Sequence, residues 1–197
     1  MKIALISQGP SRTLYPGRMG YDVVVGVNEM PFKHECDWWV LADTHAYTRW
    51  AVRERLGDPR LFVKKGTVEA ATITREAGEG VKQLWLTHDG PRAVFQEDIA
   101  LPPMPADMPQ FAGGGPRWNK FGGVTALGLC WYLGGVGSEV DAYGCDMVIA
   151  PDWKHPPGSP PGHAEAVHRR FEFERAIWDG LVSGFTKAGM TVNRILP

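Results

Sequence analysis

The chain is short of several features that would declare a function outright. It has three cysteines in 197 residues, Cys36, Cys130 and Cys145, odd in number and without a C-x-x-C pair. That excludes a disulfide framework and a zinc knuckle, and it fits a reducing compartment. No stretch approaches the roughly 20 apolar residues of a membrane helix. No charge of one sign dominates: 21 Lys and Arg stand against 22 Asp and Glu, a formal charge of −1. A broad basic face for duplex nucleic acid is therefore not expected. The opening lacks a signal-peptide pattern, because the apolar run after Met1 and Lys2 stops after four residues. These absences predict a cytoplasmic chain with no membrane partner and no extended nucleic-acid face.

Familiar catalytic signatures are missing too. There is no G-x-G-x-x-G after the first apolar run, no G-x-x-x-x-G-K-[ST], no G-x-S-x-G and no H-E-x-x-H. A dinucleotide fingerprint, a P-loop and a nucleophile elbow are thereby set aside.

What is present begins with Lys2-Ile-Ala-Leu-Ile-Ser-Gln-Gly-Pro-Ser11. Residues 3–6 read as a buried strand, and Gly9-Pro10-Ser11 breaks it with a small turn. Such a turn after a first buried strand is where an open α/β sheet binds phosphates, although the same residues also suit a plain strand-to-loop connection. Further strands are predicted at 23–25, 36–42, 61–63, 81–86 and 139–143, with an edge strand at 190–196. Helices are predicted at 46–56, 122–134 and 163–187, the last with an apolar stripe of Val167, Phe171, Trp178, Leu181 and Phe185. Residues 67–77 suit either a short helix or a loop. Residues 88–120 carry five prolines between 102 and 116, then Gly113-Gly-Gly115, and read as a lid or substrate loop. Strands alternating with helices predict a single α/β domain over 1–197, Rossmann-like, with a mainly parallel sheet and helices on both faces.

In a parallel sheet the strands end at one edge, so the turns after them would face one crevice. Those turns carry Gly9 and Ser11, Asn28, Asp43 and His45, and Gly144 and Asp146. Residues 113–123 join glycine amides, two cations (Arg117 and Lys120) and the start of a helix, a combination that favours an anion; a glycine-rich hinge with incidental charges is the competing reading. His155, His163 and His168 lie close in sequence, yet the five-residue gap between the last two suits one helix face poorly, so no metal site is assigned. His155 sits in a loop beyond Gly144-Cys-Asp146, where a general base is within reach of the crevice; an exposed loop histidine fits it as well. The Arg169–Arg175 charge cluster reads as a solvated helix face. Trp38 and Trp39 should face opposite sides of a strand, and Trp131 and Trp178 should be core.

Gly-Pro-Ser after strand 1, Val-Gly-Val-Asn28, Trp-Trp-Val-Leu-Ala-Asp43, Phe-Gly-Gly-Val-Thr-Ala-Leu127 and Ala-Tyr-Gly-Cys-Asp146 together resemble one superfamily. It contains bacterial sialyltransferases, the motility-accessory-factor glycosyltransferase-like proteins and archaeal 6-hydroxymethylpterin diphosphokinases. The resemblance spans most of residues 1–150. It implies a nucleotide donor held by Gln8, Gly9, Pro10, Ser11, Asn28, Gly122, Gly123, Thr125, Gly144 and Asp146; the cations of the 113–123 stretch, Arg117 and Lys120, would then stabilise its phosphates. Gln8 replaces an asparagine of the family pattern, and Gly122 stands where a serine is common. The expected activity is transfer of a group, a glycosyl group foremost, from an activated nucleotide to a hydroxyl acceptor. His155 or Asp43 would serve as base. No Asp-x-Asp pair is present, which favours a metal-independent route. The alternatives are a diphosphokinase using ATP and Mg²⁺ on a pterin-like alcohol, with Asp43 and Asp146 on the metal, and a non-catalytic nucleotide-binding module.

Overall fold

The computed structural model describes residues 1–41, 59–63, 93–95, 99–105, 122–148 and 162–197. The expected helix at 46–56, the segment 67–77 and the expected strand at 81–86 lie outside these residues.

Seven strands form one sheet: β1 (Lys2–Ile6), β2 (Val23–Val27), β3 (Trp38–Leu41), β4 (Arg60–Val63), β5 (Ala93–Phe95), β6 (Glu139–Tyr143) and β7 (Thr191–Arg194). Their spatial order is β5-β4-β3-β2-β1-β6-β7, and every pairing is parallel. The central strands are apolar on both sides, as a parallel sheet covered on both faces requires. In β1, β2 and β6 the first residue is partly exposed and the next four are buried. Two α-helices are described: α1 (Gly122–Gly134) and α2 (His163–Lys187).

Alternation along each strand divides the core. Ile3, Leu5, Val25, Val27, Trp38, Val40, Val140 and Ala142 face α1 and α2, together with Ile177, Trp178, Leu181 and Phe185. Ala4, Ile6 and Val24 face the other way, onto Met30, Cys36, Tyr15 and Tyr21. Two 3₁₀ turns, Pro10–Leu14 and Met30–Phe32, lie near this second side. Trp38 and Trp39 do point to opposite faces: Trp38 joins the helix-side core, while the Trp39 indole donates to the Asn28 carbonyl at 2.5 Å. All eight residues from Gly123 to Cys130 are buried, so α1 runs through the interior rather than over it. This is a Rossmann-like α/β arrangement.

The 88–120 segment is not all loop. Residues 93–95 form β5 beside β4, and Ile99, Leu101 and Met104 pack against the helix-side core. Apolar side chains at 99, 101 and 104 give this part something to bury, whatever its proline content. No described helix is long and apolar enough to cross a membrane.

Candidate functional site

The strand order fixes where a crevice can form. From β1 the chain steps outward through β2, β3, β4 and β5, then returns to place β6 on the other side of β1. The connections leaving β1 and entering β6 diverge, and open α/β sheets bind ligands at that point, beyond the carboxyl ends of the strands. Register brings the ends together, because Ile6 pairs with Gly26 on one side and with Tyr143 on the other.

A cleft of about 470 Å³ opens there. Its floor is the β1 turn, Ser7 to Pro10, with Val27 and Asn28 from the end of β2. Gly122 and Gly123, the first residues of α1, form one wall, and Gly144, Cys145, Met147 and Val148 after β6 form another. Arg170, Phe171 and Glu174 of α2 complete the lining. The size is that of an ordinary small-molecule site.

The turns after β1 and β6 are clamped to each other. Ser7 N donates to the Tyr143 carbonyl and Gly9 N to the Gly144 carbonyl, both at 2.8 Å. Gly144 takes φ +68°, and a Cβ there would collide with the Ser7 carbonyl. Gly9 comes so close to Gly144 and the Asp146 carboxylate that a Cβ would lie 2.6 Å from the Gly144 oxygen. Gly122 lets α1 begin directly over β2, since a Cβ would stand 2.7 Å from Val27 Cγ1.

Asn28 follows β2 in the left-handed region, φ 55°. Its amide donates to the Val40 carbonyl at 3.0 Å, its carbonyl accepts from Trp39, and its side-chain Nδ2 donates to Gln8 Oε1 at 3.3 Å. Gln8 and Asn28, predicted from separate motifs, are thus neighbours across the cleft floor.

Of the residues expected to hold a nucleotide, Gln8, Gly9, Pro10, Asn28, Gly122, Gly123 and Gly144 line the cleft. Ser11, Thr125 and Asp146 do not. Ser11 is fully buried; its amide donates to Asp146 Oδ2 at 2.9 Å, and its Oγ accepts from Gly144 N at 2.8 Å. Asp146 is 5% exposed. Its Oδ2 satisfies the Ser11 amide and holds the two turns together, while its buried Oδ1 has no hydrogen-bond partner among the described residues. Thr125 is fully buried within α1. Asp43, His155, Arg117 and Lys120 lie outside the described residues. Among the described residues no three His, Cys, Asp or Glu side chains are grouped to hold a metal ion.

Glu174, like Ser7 and Arg170, is a site residue that sequence reasoning missed. It is 8% exposed, and burial pushes its carboxyl up to about 7 against an opposing pull from Arg170. The solvated-face reading holds for its exposed neighbour Glu172, whereas Arg175 donates to the Met147 carbonyl at 3.3 Å and Glu174 is buried. A signal was present: the apolar stripe 167, 171, 178, 181, 185 has a gap of seven, and 174 is the helical position that fills it. Cys145, opposite, is buried and its thiol is held well above the ordinary range, first by burial and then by Glu174.

Comparison with protein-family models, with curated proteins and with solved structures returns no match for this chain.

Proposed function

We propose that this chain is a nucleotide-dependent transferase, moving a group from an activated nucleotide donor to a hydroxyl acceptor in the cleft over β1, β2 and β6. One observation carries the reading. Three strand-end turns and the first residues of a buried helix converge where the chain reverses direction across a parallel sheet.

The chemistry of the lining supports an anionic ligand. The first turn of a helix has backbone N–H groups without intrahelical acceptors, and α1 places Gly122 and Gly123 there with no side chain in the way. Arg170 of α2 adds a cation to the lining. Fixed donors of this kind favour the charge that grows on a departing phosphate. Gln8 and Asn28 supply amide groups able to orient a base or sugar.

The test is a thermal-shift panel of CMP-, UDP-, GDP- and ADP-linked compounds with ATP. A ligand that binds only the folded chain raises the midpoint with concentration. Gly122→Val, which pushes side-chain bulk into the cleft and against Val27, should abolish the response. If no compound raises the midpoint at millimolar concentration, the reading fails.

A further inference from the structure

We propose that Glu174 is the group that takes the proton from the acceptor hydroxyl, an assignment that rests on the transferase reading and gives this role to neither His155 nor Asp43. The carboxyl sits on α2 in the cleft wall, beside Gly123 at the start of α1. A methyl carbon built on Gly123 would lie 3.9 Å from Glu174 Oε1, 3.9 Å from Ser7 Oγ and 3.6 Å from Cys145 Sγ. Three protic side chains from three different elements therefore converge on the space that Gly123 leaves empty. That space adjoins the helix start where the phosphate reading places the leaving group.

The groups around the carboxyl set its behaviour. Arg170, one turn earlier on α2, draws it down, and burial draws it up more strongly. Cys145, from the turn after β6, is held as a neutral thiol and does not compete as a base. Ser7, from the turn after β1, has a hydroxyl without charge near neutral pH. Asp146, next to Cys145, has one carboxylate oxygen committed to the Ser11 amide. Glu174 is thus the carboxyl of the described cleft wall positioned to exchange a proton near neutral pH.

The step balances without a further reactant. The acceptor oxygen forms a bond to the transferred group while that group's bond to the donor phosphate oxygen breaks. The nucleotide leaves with the electron pair, and the hydroxyl proton passes to the Glu174 carboxylate.

The experiment uses the full chain and the nucleotide from the panel that raises its midpoint, following release of free nucleotide against pH with candidate hydroxyl acceptors. Wild-type kcat/KM should rise with pH along a limb near 7. Glu174→Gln should keep the midpoint shift, lose at least 100-fold in turnover and lose the limb. Glu174→Asp should keep the limb with reduced turnover, and Glu172→Gln, on the exposed face, should match wild type. Glu174→Gln turning over within threefold of wild type, or keeping the limb, overturns the assignment while leaving nucleotide binding intact. Loss of the midpoint shift in Glu174→Gln also overturns it, since the side chain would then serve binding. A nucleotide bound but never consumed does the same. Absence of any shift in wild type removes the transferase reading itself.

Discussion

Ser11 and Asp146, 135 positions apart in the chain, are joined by a 2.9 Å hydrogen bond from the Ser11 amide to Asp146 Oδ2. The Ser11 hydroxyl returns the connection by accepting from Gly144 N. Both residues are buried, so neither group can turn to water. Asp146→Ala should leave a buried amide unsatisfied and cost roughly 1–3 kcal/mol. For a chain of this length that is a fall in Tm of about 3–10 °C. Asp146→Asn keeps an acceptor oxygen and should cost less. Ser11→Ala combined with Asp146→Ala should cost less than the two singles summed, because both act on one clamp. Calorimetry that finds Asp146→Ala as stable as wild type would remove the clamp from the account.

Two glycines with similar backbone angles separate strain from collision. Gly144 has φ +68° and Gly137 has φ +78°. A Cβ at Gly137 meets nothing within 4 Å, whereas at Gly144 it meets the Ser7 backbone, the carbonyl carbon at 2.7 Å. Gly137→Ala should cost only the left-handed penalty, about 1 kcal/mol. Gly144→Ala should cost about 3 kcal/mol or more, because the β1 and β6 turns must also part. Denaturant midpoints for the two variants check this, and equal losses would contradict the close approach.

Much of the fold is legible in the sequence because a parallel sheet buries its strands on both faces. Short apolar runs then stand out, as Ile3–Ile6, Val23–Val27 and Trp38–Leu41 do. The helices at 122–134 and 163–187 are equally plain, one from Val124, Leu127 and Trp131 at helical spacing and the other from its stripe. Ala93–Phe95 is not legible: a three-residue strand among prolines and glycines has too little length to show alternation. In the site, residue type singles out Gln8, Gly9, Asn28 and Gly122, and the structure places all four in the cleft lining, where small turns and close approaches require them. Ser11 and Asp146, singled out by the same reasoning, do not line the cleft, because sequence cannot tell a polar group that faces a ligand from one that satisfies a buried amide. Glu174 was concealed by its charged neighbours Glu172 and Arg175.

The buried carboxyl of Glu174 makes stability depend on pH in a definite direction. Below pH 4.5 it holds its proton in both the folded and the unfolded chain. As pH rises from 4.5 to about 7 the unfolded chain ionises while the fold retains the proton, so the folded state loses ground. Above about 7 both states are ionised and the deficit is constant. Relative to Glu174→Gln, wild type should therefore lose on the order of 3 kcal/mol across that window and nothing further beyond it. Thermal unfolding of the pair at pH 4, 5.5, 7 and 8.5 reads the difference. Parallel curves across the series would mean that the carboxyl is solvated after all.

Arg170 couples the two halves of the cleft chemistry, since it lines the wall that an anion would face and draws the Glu174 carboxyl down. Removing it acts on both at once. On the proposed function, Arg170→Ala removes a lining cation whose interaction with a nucleotide phosphate would be worth about 1.5–3 kcal/mol, so nucleotide affinity should fall about 10- to 100-fold. The midpoint shift of wild type should be more sensitive to added salt than that of the variant, because part of the attraction is screened. Glu174 also loses its opposing charge, so its titration should move to higher pH, and the stability window described above should extend upward with it. The two effects come from one side chain yet are read by different measurements, nucleotide titration and pH-dependent unfolding. A variant that weakened nucleotide binding with an unchanged window would mean that Arg170 serves the ligand and not the carboxyl. An unchanged nucleotide affinity would leave the helix start at Gly122 and Gly123 as the anchor for the anion among the described residues.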